Sequence, residues 1–218
     1  MKTTLFIVLL SALTLTTQAQ AFRPPELNVQ YHRARTAWLT GNSLLEAKAR
    51  IDRVLKKLPD DTEALKLRSA ILLELDRAEE AHRDAARAIL LAPDDGEGYV
   101  LVCETAAATD RVNLAMEALD TASNLFLAQI EQYVRLSTCA LNLAQISQAL
   151  SLARIAVAQD EDDPRGHVQL ARIFLQNDQY EEARAVLTKA IEGSIITMGA
   201  VLADTQLAAL YLTDPLSQ

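Results

Sequence analysis

Apolar residues recur along most of this 218-residue chain at the three- and four-residue spacing of amphipathic helices, in short segments separated by a few polar positions. From Thr62 to Asp95 it reads TEALKLRSAILLELDRAEEAHRDAARAILLAPDD, two helical segments broken at Leu75-Asp76-Arg77 and closed by Pro-Asp-Asp. Proline stops a helix because it has no amide proton for the ladder, and the aspartates that follow can cap the next helix. The same closure stands at Pro59-Asp60-Asp61, 34 residues before Pro93, and Asp160-Glu161-Asp162-Asp163-Pro164 plays the same part later. Few glycines and prolines, abundant alanine and leucine and only 5% aromatic residues make the expectation all-α.

Windows starting at Asn28, Thr62, Gly96, Ile130 and Pro164 follow one another at 34 residues without insertion: 28–61, 62–95, 96–129, 130–163 and 164–197. Their twentieth position is Ala47, Ala81, Ala115, Ala149 and Ala183, alanine each time. The twenty-seventh is Val54, Ala88, Ala122, Ala156 and Ala190. Small residues at fixed phases let two helices of a hairpin approach, and larger groups between them, such as Ile51, Leu119 and Leu187, fill the space left.

This pattern resembles the tetratricopeptide repeat, a 34-residue helix–turn–helix with small residues at positions eight, twenty and twenty-seven and a proline near thirty-two. The second window and NDQYEEARAVLTKAI in the fifth carry the likeness most fully. Position thirty-two departs from it at Leu127, Glu161 and Ile195, and Arg35 stands where a small residue is usual. The resemblance implies a right-handed α-solenoid of five repeats. Residues 198–218 then read as a capping helix and tail covering the last repeat, and residues 22–27, with Pro24-Pro25, as a short extended lead-in.

Residues 1–21, MKTTLFIVLLSALTLTTQAQA, have the charge, apolar run and small residues of a secretory signal peptide. The apolar run of about eleven residues is short of the roughly twenty that span a membrane. Cleavage is expected after Ala21, with Ala19 the other possibility, which makes the protein exported, and periplasmic in a bacterium. The formal charge of −8 becomes −9 without Lys2. Such an acidic chain is a poor partner for nucleic acid or an anionic membrane, and no membrane insertion of the mature chain is expected.

Catalytic chemistry does not assemble. His32, His82 and His167 lie far apart along a solenoid, so neither a metal site nor a cofactor is implied, and the chain is not read as an enzyme. Glu79-Glu80 and Glu181-Glu182 fit the favourable first turn of a helix. Gly96-Glu97-Gly98 lacks the spacing of a phosphate loop and reads as an inter-repeat turn. Cys103 and Cys139 fit a disulfide in an exported protein or two small buried residues. Neighbouring helix axes lie about 8–10 Å apart and disulfide Cα atoms within about 7 Å, which favours the second reading.

In the resembled family the first helices line a concave groove through positions two, five, nine, twelve and thirteen. Position five here is His32, Lys66, Val100, Val134 and Val168, and position nine is Thr36, Ala70, Glu104, Thr138 and Arg172. No lysine–asparagine set for gripping a terminal carboxylate is present. An apolar stripe of valines remains, suited to a peptide segment or amphipathic helix of a protein partner. The expected role is a non-catalytic interaction scaffold or assembly factor. The alternative is a subunit of an envelope enzyme complex held through its convex face or terminal helix.

Overall fold

A computed structural model describes residues 23–41 and 43–212. The segment read as a signal peptide, residues 1–21, and the tail beyond residue 212 lie outside the described residues. Ten helices form five antiparallel hairpins: α1 (Pro25–Leu39) with α2 (Leu44–Lys57), α3 (Thr62–Glu74) with α4 (Ala78–Leu91), α5 (Gly96–Ala108) with α6 (Val112–Asn124), α7 (Ile130–Asn142) with α8 (Ile146–Gln159), and α9 (Pro164–Gln176) with α10 (Tyr180–Glu192). Two short helices, α11 (Met198–Ala203) and α12 (Thr205–Leu212), complete the described chain. Each hairpin packs on the next, and the first helices α3, α5, α7 and α9 also touch in series, which makes an all-helical solenoid.

The alanine phase explains the packing. Ala47, Ala81, Ala115, Ala149 and Ala183 are all fully buried. In two hairpins the serine at position eight closes onto that alanine: Ser69 Oγ donates to the Ala81 carbonyl at 2.9 Å, and Ser137 Oγ to that of Ala149 at 2.9 Å. Aspartates cap the helices that follow the breaks, with Asp61 accepting from the Ala64 amide at 3.1 Å, Asp95 from Glu97 at 3.0 Å and Asp163 from Arg165 at 2.9 Å. Where position thirty-two is Leu127, the side chain is buried and fills the space beside Gly96.

The turn inside hairpins two to five uses one geometry. Asp76, Asp110, Ala144 and Asp178 all have φ between 56° and 58°, and the next residue's amide donates back to the first helix, as Gln145 does to the Ala140 carbonyl at 2.8 Å. The left-handed region suits glycine, and an L-side chain there costs about 1–2 kcal/mol. Aspartate tolerates it better than alanine. Ala144→Gly is therefore expected to raise stability by about 1 kcal/mol, read as a higher urea midpoint at unchanged slope.

Four expectations are corrected. Residues 25–27 are not extended: Pro25 opens α1, because the fixed φ of proline suits a first turn whose amides lack partners anyway. The segment after residue 197 is two helices instead of one, broken at Asp204, whose carboxylate accepts from the Gln206 and Leu207 amides at 3.0 and 3.2 Å and so starts α12. Gly96-Glu97-Gly98 is the first turn of α5. Cys103 of α5 and Cys139 of α7 form a disulfide, with Cα atoms 6.3 Å apart. Axis spacing overstated their separation, because each Cα stands about 2.3 Å off its helix axis and these two face each other.

The tightest backbone approach is at Gly166 in the first turn of α9. A Cβ there would lie 2.8 Å from both the Val157 amide nitrogen and a Val157 methyl of α8. Backbone cannot swing aside as a side chain can, so Gly166→Ala is expected to cost about 1–3 kcal/mol by overpacking. At Gly98 the added Cβ meets only the Ile89 side chain closely, at 2.8 Å, and the same substitution there should cost less. Paired thermal melts check the ranking.

Candidate functional site

The first helices turn one face inward and enclose an open concave cavity of about 860 Å³. Its walls come from α1 through Arg35, Trp38 and Leu39, from α3 through Glu63, Lys66, Leu73 and Glu74, from α5 through Glu97 and Glu104, from α7 through Glu131 and Arg135, and from α9 through Arg165. A second cavity of about 470 Å³ shares Leu73, Glu104 and Arg135 with the first and adds Thr138, so the two adjoin along the solenoid and together make up its concave channel.

The channel is braced by ion pairs between successive first helices. Lys66 is only 6% exposed, and its Nζ lies 2.8 Å from Glu63, 2.6 Å from Asp95 and 2.7 Å from Glu97. Burial works against its charge, but the carboxylates of Glu97, Glu63 and Asp95 outweigh that cost and raise its pKa well above the usual lysine range. Arg135 holds Glu104 through two hydrogen bonds, Nε at 2.9 Å, and is likewise raised by that carboxylate against the penalty of burial. Arg165 is shared between Glu131 at 3.0 Å and Asp163 at 2.6 Å. At the α1 end the Trp38 indole donates to Glu74 at 2.5 Å, while Arg35 makes no ion pair among the described residues.

Of the sequence candidates, the fold gathers Lys66 and Glu104 in the main cavity and Thr138 in its extension. His32 and Thr36 are exposed on α1 but line neither cavity. Val100 is fully buried in the core shared by the central repeats, and Val134 and Val168 are half-buried, Val168 packing towards the C-terminal cluster. The accessible valine stripe is thus corrected at Val100, which turns into the core, while Val134 and Val168 line neither cavity. Arg172 donates to Asp204 at 2.5 Å and ties α9 to the break between α11 and α12. That contact, against the opposing effect of burial, holds the Asp204 carboxyl below the usual range.

Much of the wall comes from positions two and twelve, which the resemblance already turned towards the groove, with Leu39 and Leu73 at position twelve, while Trp38 and Arg135 stand at positions that it did not indicate. From the second window on, position two reads Glu63, Glu97, Glu131 and then Arg165, a charged row at 34-residue spacing that faces the channel. A second signal is opposite charge 31 residues apart, Lys66 with Glu97 and Glu104 with Arg135, which is the separation that brings adjacent first helices into contact.

A family model described as a tetratricopeptide repeat matches residues 140–192, the last turn of α7 through α10. Helices α3, α5, α7 and α9 begin 34 residues apart, each opening a hairpin of the same build. The chain matches the tetratricopeptide repeat over residues 140–192 and repeats that helix–turn–helix build in its other hairpins. Its fold is similar to that of TTC0263, a thermophilic TPR protein of Thermus thermophilus, at TM-score 0.72 and 20% identity over 85% of this chain and 99% of that one. It is also similar to PilW, a type IV pilus biogenesis factor, at TM-score 0.68 and 18% identity over 89% and 90% of the two chains. YrrB, a TPR protein with an unusual peptide-binding site, gives TM-score 0.53 and 19% identity over 85% and 91%. At these identities the shared feature is the fold. No curated protein matches the sequence.

Proposed function

We propose that this TPR protein is a non-catalytic adaptor that binds a segment of another protein in its concave channel, with the repeats bounded at 28–61, 62–95, 96–129, 130–163 and 164–197. The observation that carries the reading is the cavity of about 860 Å³ whose walls come from five successive first helices, a shape that matches an elongated ligand. The channel's chemistry is recognition by surface, with no bond made or broken. YrrB, a TPR protein with a peptide-binding site, and PilW, a pilus biogenesis factor, lend this reading support by analogy of fold.

Export to the periplasm of a bacterium is part of the proposal. It rests on residues 1–21 and on the Cys103–Cys139 disulfide, which persists in oxidising compartments. Among the described residues no helix is long and apolar enough to cross a membrane. The test is capture of the partner by cross-linked pull-down from the native envelope, using Leu73→Arg in the channel and Ile155→Arg on α8, both checked for retained helicity. The adaptor reading expects loss of the partner with the first only. Loss with the second only would favour a subunit held by its convex face.

A further inference from the structure

We propose, resting on the channel reading above, that the segment bound there is basic and apolar together: lysine or arginine side chains flanking a leucine-like anchor. The anchor site is at the α1–α3 end, where Leu39 is 65% exposed and Trp38 and Leu73 are half-buried beside it in the same wall. Charge around that site does not balance. Three carboxylates, Glu63, Asp95 and Glu97, converge on the single ammonium of Lys66. Glu74 has only a neutral indole as its partner, and it sits next to the apolar anchor. Arg35 returns one positive charge. Further along, Glu104 is matched by Arg135, while Arg165 alone faces both Glu131 and Asp163. Among the residues lining the cavity, the carboxylates of Glu63, Glu74, Glu97, Glu104 and Glu131 outnumber the cations of Arg35, Lys66, Arg135 and Arg165 by one, and Asp95 and Asp163 add negative charge behind the wall, in a chain whose formal charge is −8. An acidic segment would meet these carboxylates without a cation left to receive it except Arg35, whereas a basic one would find Glu74 without a cation beside the anchor and the three carboxylates around Lys66 further along the wall.

The experiment uses two synthetic peptides with one leucine pattern, lysine filling the other positions in the first and glutamate in the second. Binding is measured by fluorescence anisotropy to the disulfide-intact protein. The lysine peptide should bind, more weakly as salt rises, and the glutamate peptide should not. Glu74→Gln with Glu97→Gln, which leaves an acceptor for the indole and two carboxylates on Lys66, should weaken binding by about three- to tenfold. Glu117→Gln with Glu181→Gln removes equal charge from α6 and α10 and should leave it unchanged. Equal weakening by both pairs would overturn the proposal as general attraction to an acidic surface, as would binding of neither peptide. If both peptides bind alike and both are lost in Leu73→Arg, the charge preference is overturned while the channel reading survives.

Discussion

Replacing Cys103 and Cys139 together by alanine is expected to lower the unfolding free energy by about 2–4 kcal/mol. The bond closes a chain separation of 36 residues, and most of its effect is to restrict the unfolded chain. Its placement concentrates the folded-state consequence in one region. Cys103 and Cys139 join α5 to α7, the same helices that the Glu104–Arg135 pair joins, and Cys139 lines the smaller cavity. Both side chains are buried, Cys139 being 2% exposed, so alanine leaves small cavities and no stranded polar group. For a chain of this size the melting point should fall by about 2–4 °C per kcal/mol lost. Urea unfolding of the oxidised protein and of the double variant measures the difference, and thiol titration of the denatured, unreduced protein should find none. Two titrated thiols would contradict the bond.

The second large effect is expected at Lys66. Lys66→Met keeps most of the stem volume but removes the charge that Glu63, Asp95 and Glu97 share, at a cost of about 2–4 kcal/mol at neutral pH. The full penalty of a broken buried pair is moderated here, because Glu63 and Glu97 are 41% and 31% exposed and recover part of their hydration. The pH dependence has a definite sign. A lysine whose folded pKa is raised contributes stability that is fully present below its unfolded value of about 10.4, and loses it as pH rises through the higher folded value. In the variant the three carboxylates are left without their shared counter-charge. Urea midpoints of both proteins at neutral pH check this, and equal midpoints would count against the brace.

The all-helical hairpin solenoid was legible because its determinants are local and periodic. Alanine at one phase of every window, Asp61, Asp95 and Asp163 at helix starts, and breaks at Leu75-Asp76-Arg77 each act within a few residues of where they stand. The terminal break at Asp204 was less visible, since one aspartate that caps the next helix and pairs with Arg172 looks like any polar position on an apolar helix. The channel was read only in part. Valine at position five looks like an accessible stripe until the neighbouring helix arrives, and in the central repeat it buries Val100 completely. The charged wall depends on relations between repeats, such as the 31-residue step from Lys66 to Glu97, which no single helix displays. The disulfide follows the same rule, spanning position eight of one repeat and position ten of the next.

The claim that the concave channel is the binding surface is tested most directly by photo-cross-linking. A photoreactive residue is placed at Leu39, 65% exposed in the channel wall, or at Leu90, 82% exposed on α4, and the labelled proteins are returned to the native envelope. The channel reading predicts a discrete adduct from position 39 and none from position 90. An adduct from position 90 with none from position 39 would contradict it and place the contact on the second helices.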